Sequence, residues 1–132
     1  MENLSKNIVV TASILAALTI AIGAFGAHGL KQLVSAESLA SFETGVRYQM
    51  YHVLALLVIG FSDKIEQNTK KWVFRFFCFG MVLFSGSIYL LALKEQMPFS
   101  VSFLGPVTPL GGLLFILGWG KLALGLLTFK RG

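Results

Sequence analysis

The stretch Ile8–Ala27, IVVTASILAALTIAIGAFGA, decides the fold of this chain. It carries no charge, and at about 1.5 Å per residue a helix of this length crosses the roughly 30 Å of hydrocarbon in a bilayer. Val46–Phe61, Trp72–Leu93 and Val107–Phe129 are apolar runs of the same kind. The expected fold is therefore all-α. Residues 1–132 should form a single domain, a polytopic membrane protein built as a bundle of four transmembrane helices at about 8–27, 46–61, 72–93 and 107–129. Lys6 before the first run and Ala24-Phe25-Gly26 near its end imitate a secretory signal. Signal cores are shorter, about 7 to 15 residues, so this run is expected to be a retained span.

Composition points the same way. Hydrophobic residues make up 55% of the 132 positions and charged ones 13%, with a mean hydropathy of +0.76. A soluble domain of this size could not bury so much apolar surface, so the lipid bilayer is the expected solvent. The net charge of +5 does not imply nucleic acid as a partner, because the basic residues sit in short segments flanking apolar runs. The one cysteine, Cys78, excludes an internal disulfide and dithiol chemistry.

Those basic residues predict orientation. With the N-terminus inside, Lys6, Lys64, Lys70, Lys71, Arg75, Lys121, Lys130 and Arg131 lie at the inner boundary, against Lys31, Arg47 and Lys94 outside: 8 against 3 of the 11 basic residues. Both termini should be cytoplasmic, in a bacterial plasma (inner) membrane.

The connections carry helix signals. Gly29 should end the first helix, and Ser35 should cap a second helix from Ala36 to Phe61, with Glu37 in its first turn. That helix would be about 39 Å long, so its first turns should project from the membrane. Asp63–Lys71 (DKIEQNTKK) and Lys94–Ser102 (KEQMPFSVS) read as polar turns, and Pro106 and Pro109 should hold off regular helix until about Leu110.

Small residues mark packing faces. Ala12, Ala16, Thr19, Gly23 and Gly26 share one side of the first helix, and Gly111, Gly118 and Gly125 recur at heptad intervals in the last. Either seam could serve the bundle or a homo-oligomer.

Polar residues inside the runs define a candidate site. Gly45, Gln49, His52 and Leu56 form one helical stripe, so Gln49 and His52 should point inward together. Glu43 and Arg47, four apart, can pair near the interface, and Tyr48 with Tyr51 fits an aromatic belt. Topology brings His28, Ser85, Ser87, Tyr89 and Thr108 to the same outer level. The two histidines admit three readings: helix-to-helix hydrogen-bonding groups, ligand-binding or proton-handling groups, or metal ligands. The last is disfavoured, because two histidines without nearby Cys or Asp make a poor site. No metal or cofactor is expected.

The strings GAFGAHGL (23–30), YQMYHVLAL (48–56), FSGSIY (84–89) and PVTPLGG (106–112) resemble those of the YwdK/YgdD family, small four-span bacterial membrane proteins of unknown function with small eukaryotic transmembrane relatives. The resemblance extends over nearly the whole chain and implies a multi-pass plasma-membrane protein, with no reaction or catalytic residue to transfer. Three kinds of function remain open. The outer cluster could bind or transport a small polar molecule or lipid headgroup, although no acidic residue lies deep in a span for ion coupling. The chain could instead be a structural partner of another membrane protein. An enzyme is the least expected, because Ser85 or Ser87 near His52 lacks a carboxylate to orient the imidazole.

Overall fold

A computed structural model describes residues 1–128. Phe129, Lys130 and Arg131, which the sequence places at the end of the last span and in its basic tail, lie outside the described residues. Helix α1 runs over Asn3–Ala27 and α2 over Ala36–Phe61. A third rod is built from α3 (Gln67–Met81), a π-turn at Val82–Gly86 and α4 (Ser87–Ala92), and α5 spans Val107–Thr128. The described residues contain no strand.

Three segments are long and apolar enough to cross a membrane: Asn3–Gln32, Gln67–Ala92 and Ser102–Thr128. Helix α2 is as long but more polar, because Glu37, Glu43, Arg47, Gln49 and His52 interrupt it. Large apolar side chains point outward on every rod: Ile20 is 65% exposed, Val58 70%, Val82 66% and Ile116 68%. A surface of this kind needs hydrocarbon against it.

Helix α1 lies along α2, and the third rod lies along α5. The two pairs meet where α2 packs on the third rod, around Val53, Leu56, Val73, Phe77, Met81 and Phe115. A smaller core of Leu30, Phe42 and Ala92 closes the end of the molecule that carries Ser35.

Local signals explain most boundaries. Ser35 accepts the Ser38 amide at 3.1 Å and starts α2 at Ala36, as its cap chemistry predicts. Gly29 follows the end of α1 at Ala27 and its cap His28, as expected, and does so without a left-handed conformation: no described glycine has positive φ, and the chain tightens into a 3-10 turn at Leu30–Gln32, anchored by buried Leu30. Three expectations are corrected. Helix α5 starts at Val107 rather than Leu110, because Pro109 falls in the first turn, where no N–H is required. The segment DKIEQNTKK is turn only to Glu66, with Gln67–Lys71 already helical. The third run is not a uniform α-helix but carries the π-turn.

Candidate functional site

The Gly45, Gln49, His52, Leu56 stripe is buried along its whole length. Gln49 is 7% exposed and bridges the two helix pairs. The Thr19 hydroxyl donates to the Leu15 carbonyl at 2.6 Å, so its oxygen is left to accept, and Gln49 Nε2 donates to it at 2.7 Å. Gln49 Oε1 then accepts the Tyr89 hydroxyl at 2.6 Å. Each partner fixes the amide's orientation, because the Thr19 proton is already committed and the phenol supplies one.

His52, 5% exposed, also points inward. Its Nδ1–H donates to the Tyr48 carbonyl at 2.7 Å, and its Nε2 accepts the Trp119 indole N–H at 3.0 Å. A carbonyl can only accept and an indole N–H can only donate, so this pair of contacts defines one neutral tautomer. The imidazole stacks on Phe115, with ring centroids 3.7 Å apart, and meets Phe77 edge-on.

The remaining sequence-chosen residues divide into two groups. Ser85 donates to the Gly45 carbonyl at 2.7 Å, joining the third rod to α2. Ser87 shares a short hydrogen bond with Thr108 and donates to the Phe84 carbonyl at 3.0 Å. By contrast, His28 is exposed just beyond α1 and does not reach the network. Neither His28 nor a third-rod hydroxyl is the partner of His52. Arg47 donates to Thr44 at 3.1 Å, and no Glu43–Arg47 ion pair forms. Tyr48 is 40% exposed and packs against Tyr51 and Phe84. The expected single cluster is thus a buried network plus a separate set of surface groups. Among the described residues no three His, Cys, Asp or Glu side chains gather as a metal-binding group.

The packing glycines lie at helix contacts. Gly23 and Gly26 face Val46 and Phe42 of α2, while Gly111, Gly118 and Gly125 face Phe84, Phe77 and Thr69 of the third rod. Both seams are occupied within the chain.

Sequence reasoning missed two participants. Trp119 is the first, although an indole N–H in an apolar run needs an acceptor and so gives a weak signal. Lys70 is the second. It is 2% exposed, and its ammonium donates to Ser62 O at 2.6 Å, Ser5 Oγ at 2.9 Å and Gly60 O at 3.4 Å. Lys70 thereby satisfies carbonyls at the C-terminal end of α2, where the helix dipole favours a cation, and ties α1, α2 and α3 together.

A polar recess opens at the Ser35 end. It has a volume of about 410 Å³ and lies between the start of α2, the end of the third rod and the start of α5, with Glu37, Ser38, Ser41, Lys94, Glu95 and Thr108 among its walls. Of the sequence-chosen polar residues, only Thr108 borders it.

Helices with apolar outer faces and interior polar groups paired within the chain define an integral membrane protein. Residues 22–112 match the family described as Protein of unknown function (DUF423), and the chain belongs to that family. It is 42% identical over 125 residues to a UPF0382 membrane protein of Staphylococcus saprophyticus, covering 95% of this chain and 98% of that protein. It is 40% identical over 119 residues to the UPF0382 membrane protein YwdK of Bacillus subtilis, covering 86% of this chain and 90% of YwdK. With the UPF0382 inner membrane protein YgdD of Escherichia coli, identity is 35% over 130 residues, covering 96% of this chain and 94% of YgdD. No solved structure matches. The chain is a multi-pass protein of the bacterial inner membrane.

Proposed function

We propose that the protein crosses the membrane four times with both termini cytoplasmic, and that it binds a small polar molecule or lipid headgroup in the recess at its outer end. The 8 to 3 distribution of basic residues and the 26-residue length of α2 support the topology. The binding reading is carried by one observation: the recess of about 410 Å³ combines hydroxyls with charges of both signs, whereas the buried polar groups below it are already paired. Its volume lies within the roughly 300 to 1,000 Å³ of small-molecule sites. Transport is not part of this reading, because Gln49, His52 and Ser85 below the recess are each held by bonds within the chain. Nor is catalysis, since Ser85 is committed to a backbone carbonyl and has no base beside it.

Topology is tested by single cysteines in a Cys78→Ser background. Ser38→Cys and Ser100→Cys should react with an impermeant thiol reagent in intact cells, and labelling of Asn68→Cys instead would reverse the orientation. Binding is tested with glycerophosphoethanolamine and glycerol phosphate. Either should raise the melting temperature of detergent-solubilised protein, as a native-state ligand must; Lys94→Met should abolish both shifts, and Glu37→Gln that of glycerophosphoethanolamine. The second reading, a structural partner for another membrane protein or for a second copy, is favoured by the bonding of Gln49, His52 and Tyr89 within the chain. It prevails if neither compound shifts the melting temperature and the protein crosslinks to one stoichiometric partner in cells.

A further inference from the structure

Directly below the recess, a groove of about 550 Å³ opens on the apolar surface between α2 and α5. Its walls are almost wholly apolar: Phe84, Gly112, Phe115, Ile116 and Trp119, with Tyr48 at the upper rim and His52 in the floor. The two hollows follow one crevice. Ser41 borders the recess and Tyr48 the groove, seven residues apart and so on one face of α2. Ile88 and Phe84 relate them along the third rod, and both hollows reach the first turn of α5, at Thr108 and at Pro109.

A polar hollow stacked on an apolar one fits an amphiphile. We infer that the ligand is a phospholipid carrying both a phosphate and an ammonium, with its headgroup in the recess and one acyl chain in the groove. This rests on the recess being a binding site. Lys94 supplies a cation for the phosphate, and the Glu37 and Glu95 carboxylates supply charge for the ammonium. A transmembrane helix is the poorer occupant. Membrane helices dock through repeated small residues, and Gly111, Gly118 and Gly125 are turned to the third rod, which leaves Gly112 alone among the bulky Leu113, Ile116 and Trp119 along the groove.

The groove supplies its own reporter, because Trp119 is 45% exposed at its lower end. In a Trp72→Phe background Trp119 is the sole tryptophan. That protein is placed in nanodiscs of unbrominated lipid containing a minor fraction of dibrominated phosphatidylethanolamine or, separately, dibrominated phosphatidylglycerol with the same chains. Phosphatidylethanolamine should quench Trp119 more strongly at equal mole fraction. Gly112→Leu should remove that excess: a Cβ there meets only Phe84, at 3.8 Å, so the side chain fills the groove without wedging helices apart. Ile116→Trp, read by loss of lipid binding in native mass spectrometry, is the second filling variant should Gly112→Leu fold poorly. Glu37→Gln and Lys94→Met should abolish the headgroup preference while leaving general quenching intact.

Equal quenching by both lipids, unchanged by Gly112→Leu, overturns the amphiphile while leaving the recess standing if glycerophosphoethanolamine still stabilises the protein. Loss of that stabilisation as well overturns both. A Leu113→Cys disulfide joining two copies, with Trp119 shielded from every brominated lipid, would assign the groove to a second molecule of this chain and overturn the inference.

Discussion

The two helix pairs close on glycine in different ways. Between α1 and α2, a Cβ at Gly23 would meet Val46 Cγ1 at 3.3 Å and one at Gly26 would meet the Phe42 ring at 2.9 Å, both movable side chains. Between the third rod and α5, a Cβ at Gly111 would run into the Phe84 main chain itself. A side chain can shift by a few tenths of an ångström, but the main chain of a packed helix cannot shift alone. At Gly23 and Gly26 the first pair is an interlock of side chains, with the Ser5 carbonyl of α1 approached only at Gly60 of α2, whereas at Gly111 the second pair is an approach of backbones. In hydrocarbon, where no hydrophobic force draws helices together, the second depends far more on the absence of a Cβ.

The largest effect should therefore come from Gly111→Leu. Separating α5 from the third rod also pulls Thr108 from Ser87, and the expected loss is about 3 kcal/mol or more, measured by unfolding in detergent. Gly26→Leu, placed against the Phe42 ring, should cost distinctly less. Equal losses would erase the distinction between the two pairs.

Gln49 connects the pairs and should come next. Gln49→Leu leaves the Tyr89 hydroxyl without its acceptor, a cost of about 1 to 3 kcal/mol. Thr19 loses less, because its proton remains bonded to Leu15. Tyr89→Phe in the Gln49→Leu background should recover most of the loss. No recovery would mean that Gln49 acts by packing and not by joining α1 to the third rod.

His52 bridges α2 to α5 through a weaker link. His52→Leu leaves the Trp119 N–H without an acceptor and should cost about 1 to 2 kcal/mol, whereas His52→Gln, which can still accept, should cost less. A larger loss in His52→Gln than in His52→Leu would show that an acceptor for the Trp119 N–H is not what this position contributes.

These residues also mark how far the sequence can be read. Gln49 and His52 stand out because polar groups in an apolar run, spaced by three, must share one inward face, and they do. The Ser35 cap fixes the start of α2 for the same local reason. The partners were not legible: pairing His52 with Trp119 depends on the register between α2 and α5, which no local pattern encodes. Lys70 was hidden for the opposite reason, since within DKIEQNTKK nothing distinguishes a lysine turned onto the end of α2 from its half-buried neighbour Lys71. His28 looked eligible by level alone, but the 3-10 turn after α1 leaves it on the surface. The π-turn has no sequence signal beyond Gly86, and it lies where Gly111 brings α5 against Phe84.

Gly23→Ala should have the smallest effect, and it tests the side-chain interlock most directly. Alanine is favoured over glycine in a helix interior by about 0.8 to 1 kcal/mol. Against this stands one contact, the 3.3 Å approach to Val46 Cγ1, which a slight shift of a half-buried valine relieves. The two terms should nearly cancel, leaving stability within about 0.5 kcal/mol of the parent, the range usual for substitutions that disturb no buried group. Gly111→Ala gains the same helix propensity but places its Cβ on the Phe84 backbone, so it should remain clearly destabilising. If Gly23→Ala proves as damaging as Gly111→Ala, Val46 is held as rigidly as a main chain, and α1 and α2 also form a backbone-to-backbone contact.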